Sequence, residues 1–345
     1  MFGTKSKIIF IDIFGESAYA ASASSQKAPM VVEALREVSL PDESSLPDAL
    51  RSLSGLRGAG LVPASCSIYP TGRIVASAAV DPKRVGEEAY LAETVRETLK
   101  IDSSRYNLYM LSPADGSDVT QSKGSMRDVL ICGAPTEELA LRQDDLVKNG
   151  CFPLRFEIGT IATLGGVIDY LQYSESRMPT LLLEIGKDTT GVFILTSEGV
   201  QISRSIQFGI DSMIPQVQKE LALKDEEAAR RLFFSNSFDF TGLGGQLTKR
   251  LVRELQASIG FFEVQTGLSV SQICCTLIPS KVSWLDNTLA DVLGMRVLSA
   301  DYRGWLKARG IELSPGCAEI ARGAGWMGLF SLMVQHREKQ NETAA

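Results

Sequence analysis

Apolar and polar positions follow a strand–turn–strand plan that occurs twice along the chain. Ile8, Ile9, Phe10 and Ile11 form an apolar run that reaches Asp12, passes Ile13 and Phe14, and turns at Gly15, Glu16 and Ser17 into a small-residue strand. Leu181, Leu182 and Leu183 lead in the same way to Glu184, Ile185 and Gly186, followed by Lys187, Asp188, Thr189 and Thr190. The two acids are 184 − 12 = 172 residues apart, half of the 345-residue chain. An apolar run before the acid predicts a strand buried on both faces, and the glycine after it predicts a tight hairpin. Phe14 stands between Ile13 and Gly15 and is expected inside the first turn.

The second copy continues as a meander, with a strand over residues 191–195, a turn at Ser197-Glu198-Gly199 and an alternating strand over 200–206. Residues 246–266 carry Leu247, Leu251, Leu255, Ser258 and Phe262 on one helical face. A buried strand over 273–278, a helix over 284–293 stopped at Gly294 and a short strand over 296–298 follow. Between the copies, residues 73–80 read as a strand and 87–100 as a helix with Leu91, Val95 and Leu99 in register. Strands over 106–111 and 128–132 and a helix from Pro135 to about Lys148 complete a βαββα unit. The domains expected are a first half over 1–80 and 159–178, an insertion over 81–158, a second half over 179–315, a C-terminal helix over 316–336 and a polar tail over 337–345.

Composition narrows the function. With 35 basic and 41 acidic residues the net charge is −6, which gives no electrostatic footprint for nucleic acid. Six dispersed cysteines without a C-x-x-C spacing predict buried thiols in a reducing compartment, neither a zinc site nor a disulfide framework. The single histidine, His336, falls in the polar run 335–339 at the end of the expected C-terminal helix, which argues against Ser-His-Asp chemistry and excludes His-ligated metal. The start of the chain runs straight into a strand with no signal-peptide pattern, and the longest nearly apolar stretch, 323–334, is too short to span a bilayer. A membrane role is therefore expected only through a partner. Trp326, Leu329, Phe330 and Met333 form an apolar helical face that reads as core packing.

The doubled strand–acid–glycine–strand plan resembles the actin-like fold, and several passages resemble its PilM and FtsA branch. These are the insertion with its closing segment 149–157, the run from Glu184-Ile185-Gly186 to Arg204-Ser205-Ile206-Gln207-Phe208-Gly209, the helix start Asp225-Glu226-Glu227-Ala228-Ala229, the segment Arg253–Ser258, and Ala321-Arg322-Gly323-Ala324-Gly325. The resemblance implies an α/β, duplicated actin-like fold of two sheet-and-helix halves with a small inserted βαββα subdomain. It also implies a nucleotide cleft whose acids would be Asp12 and Glu184. Its phosphate turns would involve Gly15, Glu16, Ser17, Gly186, Asp188, Thr189 and Gly209.

The same resemblance makes that cleft vestigial. Glu184 is one methylene longer than the family's Asp. The glycine pair after the third strand survives only as Gly209-Ile210, and the family's A-E-x-x-K glutamate and lysine fall on Ala229 and Leu232. The adenosine loop L-x-G-G-x corresponds to Leu277-Ile278-Pro279-Ser280-Lys281, where proline fixes φ and serine and lysine lack glycine's freedom. No cofactor is expected, ATP and Mg²⁺ being the ones the family would bind. On the bland reading Asp12 and Glu184 cap hairpin turns. The implied function is a cytoplasmic scaffold, peripheral to the inner membrane, of a type IV pilus-like or type II secretion-like assembly. It would bind the cytoplasmic tail of a PilN-like membrane protein, beside other pilus or secretion proteins. The alternatives are an active FtsA-like or actin-like ATPase and a GspL-like cytoplasmic domain. GspL-like proteins continue into a transmembrane helix, whereas this chain stops at 341–345, which favours the PilM-like reading.

Overall fold

The computed structural model describes residues 7–24, 29–40, 45–56, 60–87, 89–121, 127–235 and 237–344. It contains two compact units, Met1–Ser174 with Asp301–Ala345, and Glu175–Ala300. In the first unit β1 (Ile8–Phe14) and β2 (Ser17–Ala23) form a hairpin and β3 (Met30–Ser39) extends it. The helix α1 (Ser45–Ser54) crosses over, and β4 (Val62–Ile68) returns parallel to β1. The strands β5 (Ile74–Ala79), β6 (Tyr106–Leu111) and β7 (Asp128–Pro135), with α2 (Tyr90–Thr98), make a separate sheet in the order β5-β7-β6. The helix α3 (Thr136–Lys148) then leads to β8 (Cys151–Ile158), which pairs parallel with β4, and α4 (Gly159–Tyr173) ends this stretch.

The second unit follows the same plan. A meander of β9 (Thr180–Ile185), β10 (Thr190–Thr196) and β11 (Gly199–Ile206) leads into α5 (Ile214–Glu220), α6 (Glu226–Phe233), α7 (Gly244–Leu247) and α8 (Lys249–Thr266). Next come β12 (Gln272–Thr276) parallel to β9, α9 (Trp284–Leu293), and β13 (Arg296–Val297) parallel to β12. The orders β3-β2-β1-β4-β8 and β11-β10-β9-β12-β13 coincide strand for strand and in every pairing sense. That coincidence is the duplication that the 172-residue echo announced. The chain rejoins the first unit through α10 (Tyr302–Ala308), β14 (Ile311–Leu313), α11 (Pro315–Ile320) and α12 (Met327–Ala344). The fold is the duplicated actin-like one, with the small sheet inserted in the first half.

Local rules account for the second unit's helices. Asp225 caps α6 by accepting from the Ala228 amide, and Gly267 and Gly294 end α8 and α9 in left-handed conformations with φ of 71° and 67°. The predicted stripe of α8 is buried as expected, with Leu251, Leu255, Ser258 and Phe262 facing the core.

Four boundaries differ from those expected. The strand β5 belongs to the inserted sheet, whereas β8 is the fifth strand of the first half and α3 its crossover helix, the counterpart of α9. The core of the insertion draws on Ala78, Val95, Met110 and Ile131 and takes nothing from α3, whose one buried residue, Leu146, packs under the larger sheet. Residues 301–315 leave the second half, because β14 pairs with β3 and Asp169 of α4 accepts from Trp305 and Arg309 of α10. Residues 337–344 continue α12. His336 packs edge-on against Phe10 at 5.1 Å and Arg337 is buried, so a run of charges that reads as a tail is part of a helix. Burial, helped by Arg155 and Arg337, lowers the His336 pKa. The face of Trp326, Leu329, Phe330 and Met333 is buried. Among the described residues no helix is long and apolar enough to cross a membrane.

Candidate functional site

In the first unit Asp12 lies in the middle of β1, opposite Tyr19 on β2 and Ser67 on β4, and is 1% exposed. Ser67 donates its hydroxyl to Oδ1 of Asp12. The other carboxylate oxygen faces the first turn of α12. A methyl group on Gly328 would stand 2.3 Å from Oδ2 and 2.8 Å from the Tyr69 hydroxyl, so glycine is needed for that approach. A carboxylate at a helix N-terminus is held by the helix dipole and the first amides. Burial, then Glu37, then Asp12 push the Tyr19 hydroxyl well above its ordinary pKa.

Asp12 lies two ladder pairs before the end of the hairpin, and Phe14 does not enter the turn. Phe14 pairs with Ser17 and closes the ladder, buried between Tyr19 at 5.6 Å and Tyr69 at 6.4 Å. The turn is the exposed pair Gly15-Glu16, with Gly15 at φ 54°. The carbonyl of Glu16 accepts from the Leu40 amide. Gly15 also borders a cavity of about 250 Å³ whose apolar wall is Ile13, Leu40, Leu46 and Ile68 and whose rim is Arg142, Asp145 and Asn149.

In the second unit Glu184 is the penultimate residue of β9, fully buried between Gly191 on β10 and Thr276 on β12. The turn runs from Gly186 to Thr189 and closes with Gly186 donating to the Thr189 carbonyl. Asp188 is exposed and Thr189 half-buried. The carbonyls of Gly186 and Lys187 accept from the Ile210 and Asp211 amides, which ties the turn to the loop after β11. Asp211 is held in turn by both guanidinium nitrogens of Arg230. Gly209 lies directly on the turn, where a methyl group would meet the Lys187 carbonyl oxygen at 2.3 Å and the Asp188 nitrogen at 2.5 Å. Because those neighbours are backbone atoms, Gly209→Ala is expected to cost about 2–3 kcal/mol, read as a lower urea midpoint.

Sequence reasoning missed an aromatic cluster in this unit. The rings of Phe233 and Phe240 meet at 5.1 Å, and Trp284 lies 6.0 Å from each, nearly parallel to Phe240 at 24°. The run Phe233-Phe234 and Phe238 to Phe240 was visible as composition, but nothing local says that Trp284, more than forty residues on, completes it. The cluster joins the end of α6, which carries Ala229 and Leu232, to the start of α9, which follows the loop from Leu277 to Lys281. Leu277 adopts a left-handed φ of 64° there.

No family model and no curated protein matches the sequence. Solved structures with the same fold do. The chain is similar to one described as "PilM-PilN type IV pilus biogenesis complex", with a TM-score of 0.67 and 17% identity over 97% of this chain and 99% of that one. It is similar, at a TM-score of 0.43 and 10% identity, to the ethanolamine utilization protein EutJ from Carboxydothermus hydrogenoformans, over 94% of this chain and 89% of that one. The cytoplasmic domain of EpsL, an inner membrane component of the type II secretion system of Vibrio cholerae, matches at 0.42 and 12% over 97% and 95%.

Proposed function

We propose that this chain is a cytoplasmic actin-like scaffold of a pilus-like or secretion-like inner-membrane assembly, working without nucleotide and holding the tail of a PilN-like membrane protein. The likeness to the PilM–PilN structure over nearly the whole chain supports the assembly. The residues do not fit a magnesium nucleotide. Asp12 accepts from Ser67 and lies close against Gly328 of α12, and the Gly186–Thr189 turn is occupied by Gly209 and the loop that carries it.

The observation that carries the peptide-binding part is the cavity between α3 and the first hairpin. Its aliphatic wall suits one or two apolar side chains, and Arg142, Asp145 and Asn149 offer donors and acceptors to an extended backbone. Arg142 and Asp145 are exposed on α3, so changing them leaves the core of the main sheet intact. A fluorescent peptide copying the tail of a PilN-like protein from the same genome is expected to bind in anisotropy titrations. The Arg142→Glu, Asp145→Arg double variant should weaken it at least tenfold, about 1.4 kcal/mol, with an unchanged melting temperature. Equal binding by wild type and variant would remove the cavity from the proposal.

A further inference from the structure

We infer that Phe233, Phe240 and Trp284 form a built-in plug that takes the volume in which this half of the fold would hold a nucleotide base. The inference rests on the nucleotide-free reading above and deepens it. A base in a protein is held by apolar faces above and below its ring, with a few polar atoms at its edge. Here the faces are supplied and filled from within the chain. Phe240 lies almost flat against Trp284, and Phe233 approaches both edge-on. Phe233 and Phe240 are 1% and 2% exposed and belong to the core, and the half-buried Trp284 packs against them from its edge. Ala229 of α6 and Ile278 and Val282 of the following loop are buried in that same core, with Leu232 packed against it.

The backbone around the plug is adapted to it. Proline at 279 fixes φ in the loop, a single 3₁₀ turn over Ser280–Val282 leads into α9, and Trp284 at its start meets Phe233, the last residue of α6. The indole Nε1 of Trp284 is buried with no hydrogen-bond partner among the described residues. A buried donor left unsatisfied is a poor choice for stability alone, since phenylalanine would avoid its cost. The ring that tolerates this cost is the one whose bicyclic outline matches a purine.

The test is thermal unfolding of the full chain with adenosine, Mg²⁺-ATP or indole at millimolar concentration. Wild type is expected to show no shift with adenosine or Mg²⁺-ATP. Trp284→Ala, folded by circular dichroism, should melt lower and regain roughly 2–4 °C with adenosine and with indole, as a cavity shaped for a flat bicyclic ring would. If Trp284→Ala does not fold, Trp284→Leu, which leaves a smaller gap, is read in the same way. Uptake of indole without adenosine, or of neither, overturns the plug while leaving the nucleotide-free scaffold standing. A shift of the wild-type protein with Mg²⁺-ATP overturns both.

Discussion

Asp12→Ala is expected to lower stability by about 2–4 kcal/mol in buffer containing neither nucleotide nor Mg²⁺. The loss has two sources. Ser67, itself fully buried, would lose the acceptor for its hydroxyl, and the first turn of α12 would lose the anion it now faces across Gly328. Asp12→Asn keeps the shape and one acceptor oxygen and should lose less than half as much. Urea unfolding of the three proteins, with and without Mg²⁺-ADP, separates the possible roles. A carboxylate held ready for a metal would leave metal-free stability nearly unchanged on removal and would change only the response to Mg²⁺-ADP. A carboxylate built into the packing of β1, β4 and α12 gives the loss in plain buffer and no dependence on metal. The positions of Ser67 and Gly328 favour the second pattern. Since Asp12 is one of the two acids that the resemblance implies for a nucleotide cleft, this outcome also tests the nucleotide-free reading proposed above.

The duplicated fold was legible because its signals are local. Apolar runs leading to Asp12 and Glu184, the turn at Ser197-Glu198-Gly199 and the glycine stop of α9 each describe a few neighbouring residues, and the structure follows them. Sheet membership is not local. Residues 151–158 look alike whether they close an insertion or form the fifth strand of the main sheet, and only the partner β4 decides. The return of β14 to β3 depends likewise on contacts made across more than 270 residues. Phe14 was misplaced because aligning acid with acid puts it in the turn, whereas its ring stacks on Tyr19 and keeps the ladder one pair longer. The charges of 335–339 suggested a polar tail, but Arg337 is buried and the ring of His336 packs on Phe10 of β1 within the first unit. At the candidate site, residue types gave the departures from a nucleotide pattern. The hydroxyl on Asp12, the glycine against the Lys187 carbonyl and the rings of Phe233, Phe240 and Trp284 needed the fold.

Asp286 is expected to make the protein less stable as pH rises from about 4 to about 6, and Asp286→Asn should remove that slope. This carboxyl lies in the first turn of α9 with Oδ1 buried and lacking a hydrogen-bond partner among the described residues. Burial pushes its pKa from 3.8 up to about 6, against a smaller opposing pull from the Cys275 thiol. In the unfolded chain the group ionises near 3.8, so between these values the folded state binds more protons and stability falls as protons are withdrawn. The full cost, about 3 kcal/mol by linkage and less if water reaches the group, is absent below about pH 4 and complete above about pH 6. The N-terminal position on α9 opposes it by about 0.5–1 kcal/mol, too little to reverse the sign. Asparagine has nearly the same shape and no charge to desolvate. At neutral pH the variant should therefore be more stable by about 2 kcal/mol, converging with wild type near pH 4. Urea midpoints across this range check the prediction. A variant less stable than wild type at neutral pH, with the slope intact, would show that the carboxylate is charged and well held at the start of α9.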